Sequence, residues 1–173
     1  IPGKIAGTNF ANSLLVGHST SGTLSTAERN TGVGVASLDA LTSGDDNTSI
    51  GWSSGTAINS GAANTGIGVN SLKAVTTTTF NTGLGYNSGL NCTGNRNIAI
   101  GENAGRHLSS GSGNVTIGGG DLGTTGNTGS HQLKIMGYDG STRTTWIDGD
   151  SDGTVSANGG ELTTTGKSLV MGF

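Results

Sequence analysis

Seven glycines that each follow an aliphatic residue stand at an almost fixed interval along the chain. They are Gly17, Gly34, Gly51, Gly68, Gly85, Gly101 and Gly118, at spacings of 17, 17, 17, 17, 16 and 17 residues. A fixed period constrains a fold strongly, because each copy must be one unit that buries its apolar side chains against the next. Seventeen residues is too short for a helical-hairpin repeat, which needs more than about thirty. No apolar stripe at helical spacing runs through any copy. The length suits one coil of a parallel β-solenoid, with two strands of roughly five residues joined by two turns. The expected fold class is all-β: a parallel β-solenoid, or β-roll, of about seven coils that stack about 4.8 Å apart.

Other positions keep the same register. The residue before each glycine is Val16, Val33, Ile50, Ile67, Leu84, Ile100 or Ile117. A second apolar ladder, Leu24, Leu41, Ile58, Val75, Cys92 and Leu108, lies seven residues after successive glycines. Both ladders are expected to be buried, with the glycines at the corners. Two residues before each glycine the side chain is small or absent (Gly32, Ser49, Gly66, Gly83, Ala99, Thr116), except for Leu15. Four before it stands Asn30, Asn47, Asn64, Asn81, Asn97 or Asn114, with Ser13 in the first copy. Asparagine there can turn the chain and stack as a side-chain ladder. The missing residue of the 16-residue copy falls after Cys92, in a turn, where a solenoid tolerates it. Four residues past the glycine, Leu38, Gly55, Leu72 and Gly89 alternate in size, so each leucine is expected to fill the space over a neighbouring glycine.

The core is thin. Of 173 residues, 34 are Gly and one is Pro, with 31% hydrophobic residues. Two aliphatic side chains per coil barely offset the entropy of ordering it. A partner is therefore expected to supply more burial, most simply in a closed homo-oligomer. Leu38, Leu72, Val35, Val69 and Trp52 are candidates for that contact. A formal charge of -3 and a pI near 5.4 give no basic face for nucleic acid. No run of 18 apolar residues encodes a membrane span. The first residues lack the charged start and apolar core of a signal peptide. One cysteine cannot form an intrachain disulfide.

After Gly123 the period is lost. "GTTGNTGS" reads as a linker, and "HQLKIMGYDGSTRTTWIDGD" as two strands around a turn at Asp139-Gly140. A short strand is expected at Ser168 to Met171. The organisation is thus a lead-in over 1–12, the solenoid over 13–122, a linker over 123–130, and a small β cap over 131–173 that carries Tyr138 and Trp146.

Little in the chain points to chemistry. "DGDSDG" places Asp148, Asp150 and Asp152 at alternate positions before Gly153, the first half of an EF-hand-like Ca²⁺ loop. The glutamate expected at position twelve is replaced by Gly159, with Glu161 two residues on. The plainer reading is a solvated acidic turn. Cys92, in the second ladder, reads as a buried structural thiol. His18, His107 and His131 share no metal-ligand spacing. Trp52 and Tyr86 occupy the position just after the ladder glycine, as do His18 and Glu102, and could form a carbohydrate-contacting strip on one exposed face. "GVGVAS" and "GIGVNS" recur down the ladder and are structural rather than phosphate-binding glycines. Three Glu and eight Asp mark out no carboxylate pair of the kind that cleaves polysaccharide.

The segment "NIAIGENAG", residues 97–105, resembles the head repeats of trimeric autotransporter adhesins, in which left-handed parallel β-rolls assemble side by side as trimers. The Asn, the small residue, the Ile, the Gly and the later Ser or Ala recur here from Asn30 to about Leu122, in slightly longer coils. The flanks "IPGKIAGTNFANSLLVGHSTSGTL" and "HQLKIMGYDGSTRTTWIDGDSDG" and the ending "GKSLVMGF" look like virion fibre proteins of tailed bacteriophages, particularly marine ones. These resemblances imply a homotrimer on the virion surface, acting as a structural fibre or fibre tip. Its partners would be other virion proteins and a host surface glycan or protein. The alternative is the head of a bacterial trimeric adhesin, which would further require a coiled-coil stalk and membrane barrel. A polysaccharide-degrading tailspike is the third class.

Overall fold

The computed structural model describes residues 3–7, 9–17, 24–119, 128–157 and 160–162. The strands are β1 (Gly3–Gly7), β2 (Phe10–Val16), β3 (Ala27–Glu28), β4 (Thr31–Val33), β5 (Thr48–Ile50), β6 (Thr65–Ile67), β7 (Thr82–Leu84), β8 (Ile98–Ile100), β9 (Val115–Ile117), β10 (Leu133–Tyr138), β11 (Arg143–Gly149), β12 (Val155–Ala157) and β13 (Gly160–Leu162). No helix occurs among the described residues. The chain is a β-solenoid of about seven turns, the architecture its period demands. Strands β2 and β4 to β9 stack in sequence order as one parallel sheet, with Val33 beside Ile50, Ile67, Leu84, Ile100 and Ile117 in turn. The 16-residue copy keeps register, since Thr82 pairs with Ile98.

From β4 to β9 each coil has one strand of three residues rather than two of five. After the corner glycine the chain makes two consecutive turns. In one coil Ser37 N–H donates to Gly34 O and Leu41 N–H to Leu38 O. Left-handed residues at Ala36 (φ 57°) and Leu38 (φ 55°) interrupt any extended run, so the second apolar ladder sits on stacked turns. Those turns are joined from coil to coil by bonds such as Leu38 N–H to Ser54 O and Ala40 N–H to Thr56 O. The corner itself needs glycine: at Gly51 (φ 132°) a Cβ would lie 2.6 Å from the carbonyl oxygen of Gly68.

The second ladder is the core: Leu41, Ile58, Val75, Cys92 and Leu108 are fully buried, and Leu24 nearly so. The first ladder is not. Val33, Ile50, Ile67, Leu84 and Ile117 are 36–45% exposed, while Val16 and Ile100 are half-buried. Side chains alternate along a strand, and the middle residue of each strand takes the inner face. From β4 to β9 there is room at that position only for small groups, while β2 places Leu15 there. A Cβ on Gly66 would meet Ser54 Oγ at 2.8 Å, and one on Gly83 would meet Leu72 Cγ at 2.9 Å. Leu38 and Leu72 correct the expectation in the opposite sense. Both are buried inside their own coils, where Leu38 lies over Gly55 and Leu72 over Gly89.

The coil pattern also outlasts its expected end. Ser130 Oγ accepts a bond from Ser112 N–H, His131 takes the left-handed conformation (φ 58°), and Gln132 N–H donates to Asn114 Oδ1 at 3.0 Å. Leu133 and Ile135 then pair in parallel with Val115 and Ile117. From there β10 to β13 continue the sheet as an antiparallel meander. At the other end β1 pairs antiparallel with β2. Leu122, residues 123–127 of the expected linker and the expected strand at 168–171 lie outside the described residues.

Candidate functional site

The broad feature on the surface is the outer face of the parallel sheet. Because strand residues one and three point the same way, each coil sets two side chains there. One column is Thr31, Thr48, Thr65, Thr82, Ile98 and Val115; the other is Val33, Ile50, Ile67, Leu84, Ile100 and Ile117. Neither column contains a charged residue. Beside them, just past the corner glycine, Val35, Trp52, Val69 and Tyr86 are exposed. Lys73 Nζ lies 5.9 Å from the centre of the Trp52 ring. Glu102 is exposed in the same column, and His18 lies outside the described residues. The Val33 column and its neighbours Val35, Trp52, Val69 and Tyr86 leave aliphatic and aromatic side chains exposed side by side along the coils.

Behind this face two polar ladders hold the coils rigid. Asn30, Asn47, Asn64, Asn81, Asn97 and Asn114 are all buried. Each side-chain oxygen accepts the backbone N–H of the next, from Asn47 on Asn30 at 2.9 Å to Asn114 on Asn97 at 3.0 Å. Their amide hydrogens also hold the turn carbonyls of Gly44, Gly61, Thr78, Gly111 and Gly129. Inside the sheet, Ser37, Ser54 and Ser71 donate to the carbonyls of Ser49, Gly66 and Gly83. The first link is Ser13, whose Oγ accepts Asn30 N–H at 2.7 Å.

The three aspartates of the acidic loop have separate surroundings. Asp148 pairs with Lys134 at 3.4 Å. Asp152 Oδ1 accepts Thr154 N–H, which holds its carboxyl below the usual carboxylate range. Asp150 is exposed. No group of three His, Cys, Asp or Glu that could hold a metal is brought together among the described residues. Gly159 lies outside them, as does the Glu161 side chain.

Cys92 is buried, and burial pushes its thiol pKa up. Asn97 Nδ2 donates to its sulfur at 3.2 Å, so the thiol is tied into the asparagine ladder. At the edge, Arg29 bonds Asp46 at 2.6 Å, holding that carboxyl below its ordinary range.

Two parts of the outer face escape the repeat reading. The Thr31 column repeats threonine one residue after the asparagine at 31, 48, 65 and 82, a periodic signal for the outward face that the aliphatic ladders mask. The continuation to Leu133 and Ile135 hides behind Gln132, which replaces the repeat asparagine; the apolar-x-apolar pattern of "LKI", like "VTI" at 115–117, was the available signal. Comparison with protein-family models, with curated proteins and with solved structures finds no match.

Proposed function

We propose that this chain is a non-enzymatic structural domain of a virion fibre, of the kind tailed phages carry, and that it works as a homotrimer. The observation that carries the reading is the uncharged aliphatic face. From β4 to β9 a coil whose inner strand position holds only glycine, serine, alanine or threonine still presents a branched aliphatic outward, copy after copy. Side-by-side packing of identical chains would cover these columns and supply the burial that the narrow core lacks. Three copies, rather than two or four, follows the resemblance to trimeric β-rolls. The meander from β10 to β12 serves as a cap on the open edge of the last coil.

The alternative, an adhesin head, uses the same face and is favoured by one coil: "NIAIGENAG" sets Ile98 and Ile100 outward together. Full-length sequence context separates the two, since a membrane anchor belongs to the adhesin and neighbouring tail genes to the fibre. The assembly itself is tested by replacing Ile67 with cysteine in a Cys92→Ala background. Rapid crosslinking between chains by a short bis-maleimide supports a shared axis along the sheet face. Crosslinking no faster than at an exposed control such as Asn59→Cys removes the reading.

A further inference from the structure

The hairpin of β10 and β11 holds a second surface, chemically unlike the aliphatic face. Gly137, Tyr138, Asp139, Thr142, Thr144 and Trp146 line an open cleft of about 330 Å³, within the range of small-ligand sites. Trp146 is the extra residue of a β-bulge. Ile135 pairs with Ile147 and Met136 with Thr145, so it has no partner across the hairpin. Bulges re-aim side chains in this way. The indole lies against Gly137, where a Cβ would sit 2.7 Å from Cζ2. Trp146 nonetheless remains 54% exposed.

The polar groups around it are fixed in advance. Asp139 Oδ1 accepts the N–H groups of Ser141 and Thr142 at 2.8 and 2.7 Å. These bonds keep the carboxylate ionised to lower pH than usual, and all of them fall on Oδ1. Tyr138 donates its hydroxyl to Gly140 O at 2.8 Å, which sets its ring. Gly137 faces Thr144 directly across the hairpin.

We propose that this cleft is a saccharide-binding site, in which a pyranose stacks its C–H face on Trp146 and hydrogen-bonds through Asp139 and Thr144. A sugar ring has one apolar face and a rim of hydroxyls, and the cleft offers an indole ringed by a carboxylate and hydroxyls. The aliphatic side chains of the Val33 column offer nothing to a sugar hydroxyl; this cleft offers little to an aliphatic partner. Rigid donors and acceptors lower the ordering cost of binding. One chain supplies every residue, so the site does not depend on the oligomer.

The test uses the full chain, fluorescently labelled, on a printed array of bacterial O-antigen and capsular polysaccharides. Affinity for the best-bound glycan is then measured for wild type, Trp146→Ala, Asp139→Asn and Trp52→Ala. Binding that weakens roughly tenfold or more in the first two variants and holds in the third supports the site. Asp139→Asn keeps the Oδ1 acceptor of the turn, so its loss cannot be blamed on an unfolded hairpin. Absence of binding to every glycan, or binding that survives Trp146→Ala, overturns the proposal. Solution mass recorded on the same samples reports the trimer separately.

Discussion

Asn47 donates both its backbone N–H and a side-chain amide hydrogen to the side-chain oxygen of Asn30 in the preceding coil, at 2.9 and 3.1 Å. The pairing repeats through Asn114, and Gln132 N–H closes it on Asn114 Oδ1. A slip of one residue between any two coils would break this chain of buried bonds and turn the aliphatic columns inward. Register is therefore set by the asparagines as much as by the apolar core.

Asn64→Ala removes the acceptor for Asn81 N–H and Nδ2 and the donor to Thr78 O. Leaving such buried groups unpaired costs about 3 kcal/mol. Urea unfolding should show that loss with an unchanged slope.

Ser49 occupies the inner strand position, where its buried Oγ finds no partner. Ala99 fills the equivalent slot in another coil and is equally buried. Ser49→Ala should stabilise the chain by about 1 kcal/mol, read as a higher thermal midpoint. Destabilisation would mean that Ser49 has a bonding role its geometry does not reveal.

Leu72 sits in a left-handed conformation (φ 51°) that glycine takes at Gly55 and Gly89. Its side chain fills the space over Gly89, where a Cβ would lie 2.8 Å from Leu72 Cδ2. Leu72→Ala should cost about 2–4 kcal/mol and Gly89→Ala about 1–2 kcal/mol. The double variant should cost less than the sum, because the alanine enters the space the leucine leaves. Simple additivity would show that the two residues do not share a cavity.

Burial raises the Cys92 pKa above its ordinary value. The unfolded thiol titrates near pH 8.5, so the unfolded chain loses its proton first as pH rises. Stability from this residue is fully present below about pH 8 and falls above it, by up to about 1.4 kcal/mol per pH unit. The fall continues until the folded thiol titrates. Cys92→Val should remove that slope, as seen by subtracting its denaturation profile from wild type. In the native protein the thiol should react slowly with Ellman's reagent.

The period, the asparagine ladder, the second apolar ladder and the leucine-over-glycine filling are all legible in the sequence, because each repeats in register. The orientation of the strand was not. Val33 and its equivalents look buried because they are aliphatic, yet a three-residue strand has only one inward position. The glycines at 32, 66 and 83 held the information: they are small because Leu15, Ser54 and Leu72 crowd them. The last coil was hidden by single changes, Gln132 for asparagine and Met136 for glycine. The hairpin and its turn at Asp139-Gly140 were legible, but the cleft was not, since a bulge that re-aims Trp146 leaves no pattern in one copy.

In the proposed trimer the column from Val33 to Ile117 is covered by other copies of the chain. Light scattering coupled to size exclusion tests it most directly, on wild type and on Ile67→Lys. Wild type should have a mass near three times 17.0 kDa, and the lysine variant a single-chain mass with retained β-sheet signal. A wild-type protein that stays at 17.0 kDa at high concentration would contradict it.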